Sequence, residues 1–196
     1  MRDIPLRPWL TDKAKNITSK FGEDGLIEAT LAKVGVVNRW CFEVGAGNGN
    51  TFSNTFTLRK QGWDAVLIEG DPKSVGFCRE YRDEKVRVLE EWIDPRSLDR
   101  ILAECGAPYD LDFGSLDIDG QDFWVWAGLQ EYKPRVMLVE FSPYKEDDQM
   151  PALDDPGEGA QAGIDRIVDL GVAKGYVPLA KTFVNVLFAR RELIDD

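Results

Sequence analysis

The sequence contains no histidine. That absence removes the usual general base near neutral pH, the serine–histidine nucleophile pair and every imidazole metal site at once. Any acid–base chemistry must therefore use Asp, Glu, Lys, Tyr or a metal-bound water. Cysteine is scarce: Cys41, Cys78 and Cys105 are odd in number and lack metal-ligand spacing, so neither a disulfide framework nor a zinc site is indicated, and a reducing, cytoplasmic setting is expected. Long apolar runs are missing too. No stretch approaches the roughly 20 residues that span a bilayer, and Met1-Arg2-Asp3-Ile4-Pro5 opens no signal-peptide pattern, so no membrane partner is expected. Positive charge is in deficit, with 24 Lys and Arg against 35 Asp and Glu and a formal net charge of -11. Nucleic-acid binding needs cations that neutralise several phosphates, so nucleic acid is not an expected partner; a neutral or cationic small molecule suits this composition better. Repeats and low-complexity linkers are also lacking, and 196 residues suit a single domain, as a monomer or a homo-oligomer.

What is present is an alternation of short β-branched runs with longer amphipathic stretches, the pattern of a parallel sheet covered on both faces by helices. Strands are predicted at Trp40 to Val44, Asp64 to Glu69, Val86 to Leu89, Phe113 to Ile118 and Arg135 to Phe141, each apolar for several residues as a doubly covered strand should be. Two further runs, Tyr176 to Leu179 and Thr182 to Ala189, are separated only by Ala180 and Lys181 and read as a closing antiparallel hairpin. The expectation is an α/β fold with a mostly parallel seven-stranded sheet. Helices are predicted from Asp24 to Val34 with Gly35 as its stop, within an N-terminal helical extension over 1–39, and then from Asn54 to Gln61, Ser97 to Glu104 and Ile164 to Lys174. The polar stretch from Ser142 to Gly163 is long for a compact domain and is either a lid or a surface insertion.

The strand at Phe42-Glu43-Val44 runs into Gly45-Ala46-Gly47-Asn48-Gly49-Asn50. Glycine has no Cβ and tolerates positive φ, so such a turn lets a nucleotide-like ligand lie against bare backbone. Glu69 ends the next strand in Ile68-Glu69-Gly70-Asp71-Pro72, where a carboxylate can accept hydrogen bonds from two ribose hydroxyls, and Asp71 reads as a turn former. A dinucleotide fingerprint opens its helix directly after Gly-x-Gly-x-x-Gly. Here the glycines fall at 45, 47 and 49 and the helix signal waits until Asn54, a spacing that suits S-adenosylmethionine better than a pyrophosphate and disfavours a nicotinamide oxidoreductase.

Asp117 and Asp119 lie two apart at a predicted strand end, which places both carboxylates on one side if the strand persists that far. Two anions about 4 Å apart repel by roughly 4 kcal/mol at an effective dielectric near 20, so they need a shared proton, a metal or a cationic ligand. Glu140 ends the neighbouring strand and brings a third acid to the same crevice. Two alternatives follow. Asp117, Asp119 and Glu140 hold a divalent cation such as Mg2+ that lowers the pKa of a substrate hydroxyl, or Asp119 and Glu140 act without metal as general base while Asp117 faces the cofactor. Trp124 and Trp126 read as core rather than as a substrate platform, and Lys145 as a solvated loop charge.

Taken in order, these segments resemble a class I S-adenosylmethionine-dependent methyltransferase, more narrowly the FkbM type and its relatives. The resemblance spans roughly residues 19 to 191. It rests on Ser19-Lys20-Phe21-Gly22-Glu23-Asp24-Gly25, where the family usually has Gln in place of Lys20, and on the glycine turn with Asn54-Thr55. It continues through Gly62-Trp63, Ile68 to Pro72, Ser115 to Asp122, Pro134-Arg135-Val136 and Val139 to Pro143. The resemblance implies a Rossmann-like fold, S-adenosylmethionine as cofactor and methylation of a small-molecule or carbohydrate oxygen, with nitrogen as the alternative acceptor. It also implies that Glu43 organises the turn near the methionine end of the cofactor, that Gly45, Gly47 and Asn48 contact it, and that Glu91 or Trp92 meets adenine. A non-catalytic domain that kept the adenosyl pocket is the rival reading.

Overall fold

Seven strands form one sheet in the order β3-β2-β1-β4-β5-β7-β6 in the computed structural model, which describes residues 4–153 and 161–194. The strands are β1 (Trp40–Val44), β2 (Asp64–Glu69), β3 (Val86–Glu90), β4 (Phe113–Leu116), β5 (Val136–Glu140), β6 (Tyr176–Lys181) and β7 (Asn185–Arg190). The first five pair in parallel, and β7 runs antiparallel between β5 and β6. Strand order therefore reverses beside β1, between β2 and β4. In open α/β sheets, ligands bind outside the carboxyl ends of the strands at that switch point.

Alternation along the strands sorts side chains to two cores. Phe42, Val44, Val66 and Ile68 face a layer made by α4 (Leu98–Glu104), α5 (Asp122–Gly128) and α6 (Ile164–Ala173), whereas Cys41, Ala65 and Leu67 face α1 (Glu23–Val34), α2 (Phe56–Lys60) and α3 (Pro72–Cys78). Helices thus cover both faces. The chain ahead of α1 contributes Leu10, fully buried in the second core. No helix among the described residues is long and apolar enough to cross a membrane.

Local differences from the sequence expectation have identifiable causes. Two short helices, α3 and α5, add to the elements expected from sequence; each is seven residues long and follows a strand end in an acidic turn, at Asp71 and at Asp122. Asp71 caps α3, accepting from the Ser74 N–H at 2.8 Å, with Pro72 at the first helical position. α2 starts at Phe56 rather than Asn54, because Ser53 to Thr55 are held by Glu43 instead. β6 continues through Lys181 after a register shift between Pro178 and Ala180, so the hairpin turns at 182–184 and not at the predicted two residues. β4 stops at Leu116, two residues short of Ile118.

Candidate functional site

A cavity of about 680 Å³ opens at the switch point. Its wall contains Gly45, Ala46 and Gly47 after β1, Glu69 and Gly70 after β2, Glu91 and Trp92 after β3, and Asp117 to Gln121 after β4. The glycine turn is required at two positions. Gly45 has φ 80, and a Cβ there would overlap the Asp117 carbonyl oxygen; Gly47 has φ 53 and turns its N–H toward Glu69, donating to Oε2 at 2.7 Å. Glu69 Oε1 accepts from the Asp71 N–H at 2.8 Å. Each oxygen of this half-buried carboxylate keeps a further lone pair for a ligand. Trp92 is 80% exposed and lays its indole on Gly70, where any Cβ would collide with the ring, while Glu91 pairs with Arg100 at 3.2 Å. Gly45→Ala is accordingly expected to displace Asp117 and to weaken the binding of a ligand seated against this turn at least about tenfold, read by calorimetry, since both the positive φ and the lost clearance oppose it.

Two sequence assignments change. Asn48 does not line the cavity. Its Oδ1 accepts from the N–H groups of Asn50 and Thr51 at 3.0 and 2.8 Å, and its Nδ2 donates to Thr51 Oγ1, so the side chain is used up in closing its own turn. Glu43 does line the cavity, but it organises the segment before α2 rather than the glycine turn. Its Oε1 accepts from the Asn54 N–H at 2.6 Å and its Oε2 from the Ser53 and Thr55 hydroxyls at 2.7 and 2.6 Å. Complete burial pushes its carboxyl above the usual range against those bonds. Arg59, absent from the sequence assignments, links the two segments by donating to the Gly49 carbonyl and the Ser53 hydroxyl.

A second cavity of about 330 Å³ shares Phe52, Asn54, Asp117 and Asp119 with the first and adds Lys20, Phe21, Glu23, Glu140, Tyr144, Phe183, Val184 and Asn185. Asp117, Asp119 and Glu140 do face one crevice, though not by the predicted route. β4 has already ended, and Asp119 sits at φ 55 in a turn closed by Asp122, whose carboxylate accepts from the Ile118 and Gly120 N–H groups at 3.0 and 3.3 Å. That turn points the Asp119 backbone N–H at Glu140 Oε2, 3.0 Å away. Among the described residues no group of three or more His, Cys, Asp or Glu is placed to hold an ion. Protons manage the repulsion. Desolvation, followed by the neighbouring carboxylates, pushes Asp117 up to about 7 and Glu140 up to about 10, with a hydrogen bond between the two groups. Near neutrality Glu140 is a hydrogen-bond donor, and Asp117 exchanges a proton.

The remaining residues singled out in the sequence fall outside the site. Trp126 is fully buried in the core, and Trp124 donates its indole N–H to the Pro151 carbonyl at 2.9 Å, pinning the long segment instead of meeting a ligand. Lys145 is exposed. The proposed lid over 142–163 lies partly outside the described residues. Its two ends are tied together by bonds from the Gly163 and Asp165 N–H groups to the Gln149 and Asp147 carbonyls, both 2.8 Å. The aromatic walls at Phe52, Tyr144 and Phe183 carried no motif and come together only through the fold.

The sequence matches no protein-family model and no curated protein. Solved structures share its architecture. A TehB-like SAM-dependent methyltransferase from Corynebacterium glutamicum superposes with a TM-score of 0.52 at 16% identity, covering 92% of this chain and 92% of that one. An O-methyltransferase from Bacillus cereus in complex with SAH gives 0.52 at 18% identity, over 83% and 77% of the two chains. Geranyl diphosphate C-methyltransferase from Streptomyces coelicolor, in complex with Mg2+, geranyl diphosphate and S-adenosyl-L-homocysteine, gives 0.51 at 11% identity, over 87% and 79%. One architecture thus serves both oxygen and carbon acceptors, and the fold leaves the acceptor open. This chain has the Rossmann-like fold of the S-adenosylmethionine-dependent methyltransferases.

Proposed function

We propose that this protein is an S-adenosylmethionine-dependent methyltransferase related to the FkbM type, acting on the oxygen of a small-molecule acceptor such as a sugar hydroxyl. The observation that carries this reading is the bare-backbone turn at Gly45 and Gly47, with the Glu69 carboxylate fixed beside it on the wall of a cavity that adjoins a second, carboxylate-lined one. The larger cavity lies within the size range of cofactor pockets. Its residues fit an adenosyl ligand: Glu69 for the ribose hydroxyls, the Trp92 face for adenine, and the Asp117 side for the positive charge of a sulfonium. When bound, S-adenosylmethionine supplies a methyl group that is already activated.

The chain's own residues then position the acceptor and take its proton. Asp117 faces both cavities and has a proton affinity near neutrality, which suits a general base. Glu140 donates a hydrogen bond to it, and Asp119 forms the exposed wall where the cavities meet. Holding the reacting atoms in line supplies much of the rate.

The test is calorimetric titration with S-adenosylmethionine and S-adenosylhomocysteine, with and without Mg2+, followed by methyl-transfer assays over a hydroxyl and amine acceptor panel. One saturable site unaffected by Mg2+ is expected, with a rate that rises with pH as Asp117 loses its proton around 7. Asp117→Asn should lower kcat about 100-fold or more, and Asp119→Asn should lower it less. If folded protein bound neither ligand, the reading would be wrong; if Asp117→Asn kept full activity, the assignment of the base would be.

A further inference from the structure

We infer that, among small-molecule acceptors, the second cavity selects one that carries an anionic group on a flat ring in preference to a sugar, with Lys20 as the specificity-determining residue. This rests on the reading of the first cavity as the donor site. Lys20 is the one cationic side chain among the described residues lining the second cavity. The protein carries 35 acidic residues against 24 basic ones, yet no carboxylate of the described residues lies within ion-pairing distance of this ammonium. Its neighbours are rings: Nζ lies 5.2 Å from the centroids of both Phe21 and Phe52.

The backbone on either side of Lys20 is clamped. The Ser19 N–H donates to Asp24 Oδ2 at 2.7 Å, the Phe21 N–H to Glu23 Oε2 at 2.7 Å, and Asn16 Nδ2 to the Lys20 carbonyl at 2.9 Å. A long cationic side chain is thus presented from a fixed base, as a binding residue requires. Two of the carboxylates that line this cavity are otherwise engaged. Glu23 accepts from Phe21 and from Asn185 Nδ2 at 3.4 Å, and Glu140 holds a proton through its burial.

The walls supply the ring preference. Phe52, Tyr144 and Phe183 are 58%, 82% and 49% exposed, and single exposed aromatics are ordinary, but three around one 330 Å³ cavity with Phe21 form a stacking surface. Phe183 joins two of the other rings, lying 5.2 Å from Phe21 and 6.1 Å from Tyr144 between centroids. Phe52 also holds φ 62, a strained conformation for a bulky residue, and that strain sets its ring at the junction of the two cavities. A ring seated there, anion toward Lys20, presents its hydroxyl to Asp117.

Four probes built on one ring separate the alternatives: benzoate, phenyl phosphate, benzyl alcohol and benzylamine, titrated by NMR into the protein with and without saturating S-adenosylhomocysteine. Benzoate or phenyl phosphate is expected to bind in about the millimolar range, a fragment-sized affinity. The stronger of the two identifies carboxylate or phosphate as the recognised group. Benzyl alcohol and benzylamine should bind at least about tenfold more weakly. Lys20→Gln should remove the preference for the anions, Lys20→Arg should keep it, and neither should change S-adenosylhomocysteine affinity or Tm. Equal binding of the alcohol, preferential binding of benzylamine, an unaltered profile in Lys20→Gln, or no probe binding at all would each overturn the inference while leaving the donor site standing. Failure of S-adenosylhomocysteine alone would instead sink the donor reading, with the anion preference still read in its absence.

Discussion

Glu69→Ala is expected to weaken S-adenosylhomocysteine binding at least about 100-fold while leaving the fold intact. In the free protein this carboxylate receives the Gly47 and Asp71 N–H groups at 2.7 and 2.8 Å, so it fixes the glycine turn and the entrance to α3 together. It also has the lone pairs required for two ribose hydroxyls. Hydrogen bonds to a charged group contribute about 1.5–3 kcal/mol each, so losing two costs about 3–6 kcal/mol, and about 2.7 kcal/mol already corresponds to 100-fold. The fold should survive because Glu69 is half-exposed and water can replace its carboxylate at both N–H groups. Glu69→Gln should fall between the two, since the amide keeps one acceptor oxygen. Calorimetry on the wild type and both variants reads this directly, and a loss smaller than about fivefold in Glu69→Ala would remove Glu69 from the ribose site.

Asp24→Ala should destabilise the whole domain by about 3–5 kcal/mol. Asp24 is buried at the start of α1, and its Oδ2 accepts from the N–H groups of Ile17, Thr18 and Ser19 at 2.8, 2.9 and 2.7 Å and from the Ser19 hydroxyl at 2.7 Å. Removing a buried acceptor strands all of those donors, a loss in the range measured when one partner of a buried charged network is deleted. For a chain of this length it should lower Tm by about 10 °C. Burial pushes the Asp24 carboxyl up, but the bonds from Ser19, Ile17 and Thr18 outweigh it and hold it below its ordinary value of 3.8. A depressed acid stabilises the fold above its unfolded pKa and stops doing so as pH falls through its folded one. The gap in urea stability between wild type and Asp24→Asn should therefore be constant from about pH 5 to 8 and close below about pH 4. A gap that persisted at low pH, or one below about 1 kcal/mol at pH 7, would show that the network carries little of the fold's stability.

Both predictions concern residues whose importance the sequence flagged through motif position, yet with different success at naming their tasks. Ser19 to Gly25 was legible as a motif but not as a clamp, because Glu23 also meets Asn185, more than 150 residues away, and Asp24 holds the irregular loop before α1 rather than its own helix. The same limit explains Glu43. Its place before Gly45 suggested the glycine turn, whereas its hydrogen bonds go forward to Ser53, Asn54 and Thr55, a choice made by side-chain direction across the sheet rather than by spacing. Asn48 is the converse case, a polar residue in a ligand-like turn that satisfies its own backbone.

The sequence by itself determined the α/β class, the five parallel strands, the glycine turn and the place of Glu69 at the end of β2, because these depend on local rules: two-residue alternation, apolar runs for doubly covered strands, and the need for positive φ at Gly45 and Gly47. Only the tertiary structure decided that β7 enters beside β5, with Asn185 opposite Glu140, and so carries Phe183 to the acidic crevice. It alone brought Asp117 and Glu140 together and raised the proton affinity of both, because burial and mutual distance set those affinities and no spacing along the chain encodes them. Backbone propensity is written residue by residue; the electrostatics of a pocket belong to groups that meet only after the chain has folded.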